Sequence, residues 1–208
     1  MQNVCTSSPA IQKQINIALK NYKAVWKSDE KVFEELCFCL LTPQSSARKA
    51  ETTINLLKKN KLLEKGNAKE KEPFIKVRFY ITKAKRLEKI QEKFPKNKIK
   101  KILIKNEILT NPIITREFLV KNVNGFGYKE ASHFLRNIGF YDEVAILDRH
   151  ILKNLVRYEI IKEIPKTLNK KSYLEIEDKM KQYCKKCKIN FAELDLIFWS
   201  NETGEVFK

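Results

Sequence analysis

The chain has 208 residues, and Lys and Arg outnumber Asp and Glu by 42 to 25, a formal net charge of +17. A chain of this length buries roughly 70% of its unfolded surface and needs no staples, and an odd count of five cysteines offers no disulfide framework. The charge excess points to an anionic partner, nucleic acid being the usual one; a solvated lysine surface explains many cations but not the imbalance of sign.

Only five glycines and six prolines occur, so the chain reads as all-α. Ile11 to Trp26 carries Ile11, Ile15, Ala18, Leu19 and Tyr22 at helical spacing. Ser28 is placed to cap a helix from Asp29 to Leu41, whose Val32, Phe33, Leu36 and Leu40 form a broad apolar face. Thr42-Pro43 ends it, because a proline disfavours helix at the residue before it. A helix resumes over Ser45 to Asn60, and another spans Phe79 to Phe94, with Lys83, Lys85 and Arg86 as basic residues of its first turns. Lys96 to Lys105 reads as a charged, solvated connector. Thr115 to Asn122 forms a short helix and Tyr128 to Ile138 the next. Asp148 is placed to cap a helix over Arg149 to Tyr158, and Ser172 to Lys186 and Asn190 to Ser200 complete the set. Cys184 and Cys187 form a lone C-x-x-C without a second pair at ligand spacing, so they read as helix residues, not zinc ligands. No apolar run reaches the length of a membrane span, and Met1 to Ala10 lacks the pattern of a signal segment. The expectation is a soluble, cytoplasmic protein with no membrane partner.

The most informative segment is Val123-Asn124-Gly125-Phe126-Gly127, between two short helices. Such a turn presents several backbone N–H groups in one direction, glycine permits positive φ and close approach, and the following helix adds its N-terminal dipole. A DNA phosphate fits that description; an ordinary helix corner with a glycine cap is the plain alternative. Lys129 sits on the first turn of the following helix, where the helix N-terminus and basic neighbours disfavour an ammonium and so favour a nucleophilic amine. Asp148 follows in Ile146-Leu147-Asp148-Arg149-His150, with apolar residues suggesting a buried approach. Each alone has a plain reading, Lys129 as a surface lysine and Asp148 as a helix cap.

On these residues the chain resembles the helix-hairpin-helix DNA glycosylase superfamily. Leu41-Thr42-Pro43-Gln44-Ser45-Ser46-Ala47 is similar to the early helix pair of endonuclease III. Within the superfamily the chain is most similar to the type-2 8-oxoguanine DNA glycosylase/lyase group of archaea and bacteria, over roughly Val32 to Lys208. The resemblance implies an all-α fold of two helical lobes, with a helix-hairpin-helix motif (approximately residues 115–138) flanking a DNA-binding cleft. Residues 1–208 would form a single glycosylase domain, the first and last segments sharing one lobe and the hairpin lying in the other. It implies that Lys129 attacks the sugar C1′, expels 8-oxoguanine, and nicks the strand by β-elimination from a Schiff base. Asp148 would stabilise the positive charge developing on the sugar. Val123 to Gly127 would hold the DNA backbone.

A flipped base needs a pocket of flat or polarisable groups. Trp199 is a candidate platform, and His133, four residues after Lys129, shares its helix face; a core aromatic and a structural histidine are the plain readings. The resemblance implies that Gln44 enters the space left by the flipped base, and that the carboxylate of Lys208 reads the lesion. A solvated loop glutamine and a frayed tail are the alternatives. The resemblance also implies double-stranded DNA with an oxidised base as partner, a monomer, association with the nucleoid during repair, and no organic cofactor, with a monovalent cation as an optional bridge at the hairpin carbonyls. With only Cys184 and Cys187 near the C-terminus, an iron–sulfur cluster is not expected. Two competitors stand beside this reading: an endonuclease III-like glycosylase for oxidised pyrimidines, and a non-catalytic helix-hairpin-helix binding module.

Overall fold

A computed structural model describes residues 8–206. Among these residues the helices are α1 (Pro9–Val25), α2 (Asp29–Leu41), α3 (Ala47–Lys59), α4 (Ala68–Lys71), α5 (Tyr80–Lys93), α6 (Ile99–Lys105), α7 (Pro112–Asn122), α8 (Tyr128–Asn137), α9 (Arg149–Arg157), α10 (Lys170–Cys187) and α11 (Phe191–Thr203). Side-chain caps set most of the starts by accepting from backbone N–H groups that a helix leaves unpaired. Ser8 accepts from Ile11 N, Ser28 from Lys31 N, Ser46 from Lys49 N and Asn111 from Ile114 N. Pro9 and Pro112 follow their caps, where a missing N–H costs nothing. Gly204, at φ +76°, stops α11.

Two apolar clusters form the interior. The first is built on α2, whose residues from Val32 to Leu41 are almost all buried, and takes in α3, α5, α6, α7 and α8. The second joins α1 to α9, α10 and α11. α8 packs against α2 and also touches α1, so it lies where the clusters meet. Each fully buried Leu or Phe contributes about 1.5–3 kcal/mol, enough to make these two faces the main determinants of the fold. No described helix is long and apolar enough to cross a membrane.

Three elements differ from the sequence expectation. Lys96 to Lys105 is not a solvated connector: a 3-10 turn leads into α6, whose Ile99 and Leu103 are fully buried four residues apart. Asp29 fastens it by accepting from Lys100 N at 3.1 Å. The helix before the hairpin begins at Pro112 instead of Thr115, because Asn111 caps it. The short α4, closed by reciprocal bonds between Asn67 and Glu70, was not anticipated.

Candidate active site

α8 presents Lys129, His133 and Arg136 along one face, and all three line a cavity of about 410 Å³. The facing wall comes from Asp148, His150 and Ile151 at the start of α9, and from Asp195 and Trp199, one turn apart on α11. The turn between α2 and α3 closes one side with Thr42 and Ser45, joined by Arg48 on the first turn of α3, and Glu205 closes another. Lys129 and Asp148 are thus brought to one site from different clusters.

Lys129 is half-buried, and its Nζ lies 3.9 Å from Glu130 Oε1. An acid sits beside the amine, where the sequence suggested basic neighbours. Glu130 also accepts from Gly127 N at 3.2 Å, tying the hairpin exit to the first turn of α8. Asp148 caps α9, accepting from Ile151 N at 2.8 Å, which fixes the direction of its carboxylate. Its approach, Val144 to Leu147, is buried but belongs to no helix or strand. Side chains of α10 satisfy its backbone instead: Ala145 N donates to Glu177 Oε1 (2.6 Å), Tyr173 Oη donates to Ala145 O (2.6 Å), and Leu147 N donates to Tyr173 Oη (3.3 Å). Glu177 is in turn gripped by both terminal nitrogens of Arg116, at 2.6 and 2.9 Å.

Sequence reading did not single out the ion pair within the cavity. Arg136 Nη1 donates to Asp195 Oδ2 at 2.9 Å, with both residues buried. Burial pushes the Asp195 carboxyl upward, Arg136 opposes this, and Asp148 adds to it. The available signal was spacing alone: Arg136 is seven residues after Lys129 and Asp195 four before Trp199. His133 is buried against Phe38, their rings edge-on at 5.9 Å. Trp199 faces the cavity while its neighbour Phe198 stacks on Tyr158 in the core. The Trp199 ring is met edge-on by His150, which bonds Glu202 through Nδ1 at 2.9 Å. Arg48 holds both oxygens of Glu205, at 2.6 and 2.7 Å. Lys208 lies outside the described residues.

Gln44 does not line the cavity. It is exposed at the rim, at φ +54°, between the lining residues Thr42 and Ser45. Near it is a residue that the sequence reading passed over: Phe79, 55% exposed at φ +59°, next to Arg78, whose N–H donates to Ser45 Oγ at 3.1 Å. A bulky residue in the left-handed region carries strain that the surrounding structure must hold.

In the hairpin, Val123 and Phe126 bury their side chains, so only their backbones are offered outward, while Asn124 is exposed. Gly125 has φ +97°, and a Cβ there would lie 2.5 Å from Arg86 Nη1. The close approach is therefore a guanidinium from α5, not another backbone. Gly127, at φ −104°, needs no positive φ. Three of the hairpin N–H groups are spent internally, Val123 N on Leu119 O, Phe126 N on Val123 O and Gly127 N on Glu130. Cys184 and Cys187 lie on α10, and no cluster of three or more His, Cys, Asp or Glu among the described residues is disposed to hold a metal.

An all-helical fold with a glycine hairpin leading into a lysine, and an aspartate across the same cavity, defines a helix-hairpin-helix protein built to process DNA. Residues 15–189 match the family model described as 8-oxoguanine DNA glycosylase, and the chain belongs to that family. It is 48% identical over 195 residues to the 8-oxoguanine DNA glycosylase/AP lyase of Fusobacterium nucleatum, covering 91% of this chain and 89% of that one. It is 44% identical over 186 residues to that of Methanocaldococcus jannaschii, covering 88% and 85%. Its structure is similar to that of the Methanocaldococcus jannaschii 8-oxoguanine glycosylase/lyase in complex with 15mer DNA containing 8-oxoguanine. There the TM-score is 0.84 at 38% identity, covering 95% of this chain and 93% of that chain. The 8-oxoguanine DNA glycosylase of Thermotoga maritima matches with a TM-score of 0.82 at 29% identity, covering 96% and 93%.

Proposed function

We propose that this chain excises 8-oxoguanine from duplex DNA with Lys129 as nucleophile, then nicks the strand as an AP lyase. The observation that carries the reading is the convergence of Lys129 and Asp148 on one cavity of about 410 Å³, a volume suited to a single flipped base. The Lys129 amine attacks C1′; the bond from C1′ to the base breaks, and the base leaves with the bonding electrons. Opening of the sugar ring gives a Schiff base between Nζ and C1′. Loss of a C2′ proton then expels the 3′ phosphate. Asp148, its direction set by Ile151 N and its side chain lining the same cavity, would stabilise the cationic sugar. A non-catalytic module gives no reason for these two residues to meet.

His133 and Trp199, both lining the cavity, would pack against the flipped base. Lys208 is proposed as reader of the lesion, supported by Glu205 lining the cavity three residues earlier. An acceptor for the N7 proton of 8-oxoguanine would reject guanine, which presents an acceptor there. Val123 to Gly127 and the first turn of α8 would hold the phosphates, with Gln44 filling the vacated stack and Phe79 pressing on the neighbouring bases. A monovalent cation would bridge hairpin carbonyls to phosphate; Val123 O, though it accepts from Phe126 N, keeps a second lone pair for it. No organic cofactor enters. The two apolar clusters would act as the lobes of one domain, working as a monomer on chromosomal DNA in the cytoplasm.

Borohydride trapping on a duplex with one 8-oxoguanine tests this directly. Wild type should form a covalent adduct and Lys129→Gln should not, while retaining DNA affinity. Equal trapping by the variant rejects Lys129 as the nucleophile.

A further inference from the structure

Most lysines of this chain face solvent, but Lys83 on the second turn of α5 is 2% exposed. Its Nζ donates to Leu41 O at 2.7 Å, to Pro43 O at 2.8 Å and to Ser45 Oγ at 3.4 Å. These three acceptors are neutral, and they bracket Gln44 on both sides. Leu41 O belongs to the last turn of α2, where the helix dipole favours a cation. An ammonium supplies three donors, so one side chain ties the end of α2 to the turn on both sides of Gln44. The price is burial of a charge, which pushes the ammonium down to about 8, with Arg86 adding repulsion. An apolar side chain would avoid that cost but leave buried carbonyls unpaired.

The same lysine is linked to the other exposed group at the rim. Ser45 Oγ, which the ammonium reaches, also accepts at 3.1 Å from the N–H of Arg78, the residue before Phe79. Gln44 and Phe79 therefore hang from one tie, although each stands at a left-handed φ and is itself exposed. We propose that Lys83 is a positioning residue for the rim turn, holding Gln44 where it can fill the gap left by the extruded nucleotide. It acts through the turn and touches no reacting atom. The proposal rests on the reading that Gln44 enters the duplex.

The test compares wild type, Lys83→Met, Lys83→Gln, Gln44→Ala and the Lys83→Met/Gln44→Ala double variant. The substrates are duplex DNA containing 8-oxoguanine and single-stranded DNA containing an abasic site, whose cleavage needs the Schiff base but no gap filling. Misplacement of a positioned group by about 1 Å costs up to about a hundredfold, so Lys83→Met should lose about tenfold or more on the duplex. It should cleave the single strand at the wild-type rate, and the double variant should be no worse than the poorer single. Lys83→Gln, which keeps donors without charge, should fall between wild type and Lys83→Met, and it stands in if Lys83→Met does not fold. Parallel losses on both substrates, unchanged duplex turnover, or additive losses in the double variant would each overturn the proposal. Full duplex activity in Gln44→Ala would instead overturn the reading of Gln44.

Discussion

Lys83 also reports on stability through its proton. In the unfolded chain it titrates near 10.5; in the folded protein, burial first and Arg86 second pull it down to about 8. Below about 8 both states are protonated, and the folded state bears the cost of a buried ammonium. Between about 8 and 10.5 the unfolded chain binds the additional proton, so this residue makes the protein more stable as pH rises through that window. Denaturant unfolding of wild type and Lys83→Met at pH 7 and pH 10 should show wild type gaining relative to the variant at pH 10. An equal gap at both pH values rejects the buried charge. The sequence could not show this. Lys83 sits in a run with Lys85 and Arg86 that reads as a solvated basic face, and its acceptors lie about 40 residues away. Lys129, His133 and Asp148 were legible because one helix face and one capping position place them without knowledge of distant contacts.

At the scale of elements, legibility followed local signals. Helices with a side-chain cap and a wide apolar face, such as α2, are read with their ends because Ser28 and Pro43 act on the backbone beside them. α6 was hidden because four of its seven residues from Ile99 to Lys105 are aliphatic but are interrupted by lysines, and two buried positions suffice to seat so short a helix. The hairpin was visible as a motif, but the partner of Gly125 was not. A side chain at Gly125 faces two obstacles, a φ of +97° and the Arg86 guanidinium at 2.5 Å from the new Cβ. The guanidinium can move, whereas the backbone strain remains, on the order of 1–3 kcal/mol. Gly125→Ala should therefore lower the melting temperature and weaken binding to undamaged duplex, with trapping chemistry on single-stranded abasic DNA intact. Retained duplex affinity, measured by a salt titration, would remove Gly125 from the backbone contact.

At the scale of the whole molecule, the spacing of Lys129 and Asp148 depends on how the two apolar clusters are joined. Lys129 stands on α8 beside the first cluster, while Asp148 begins α9 in the second. Arg116 on α7 and Glu177 on α10 cross that junction, and both are buried. Glu177 spends one oxygen on Arg116 Nη1 and on Ala145 N together, and the other on Arg116 Nη2. A glutamine there would aim an amide donor at a guanidinium or at a backbone N–H, and would leave the Arg116 charge without its counterion. Breaking a buried pair by removing one partner costs about 3–5 kcal/mol, so Glu177→Gln should unfold at clearly lower denaturant. At a temperature where the variant stays folded, the approach to Asp148 loses its anchor at Ala145. Base release should then slow more than duplex binding weakens. Equal loss in binding and turnover would mean that the pair stabilises the fold without setting the geometry between lysine and aspartate.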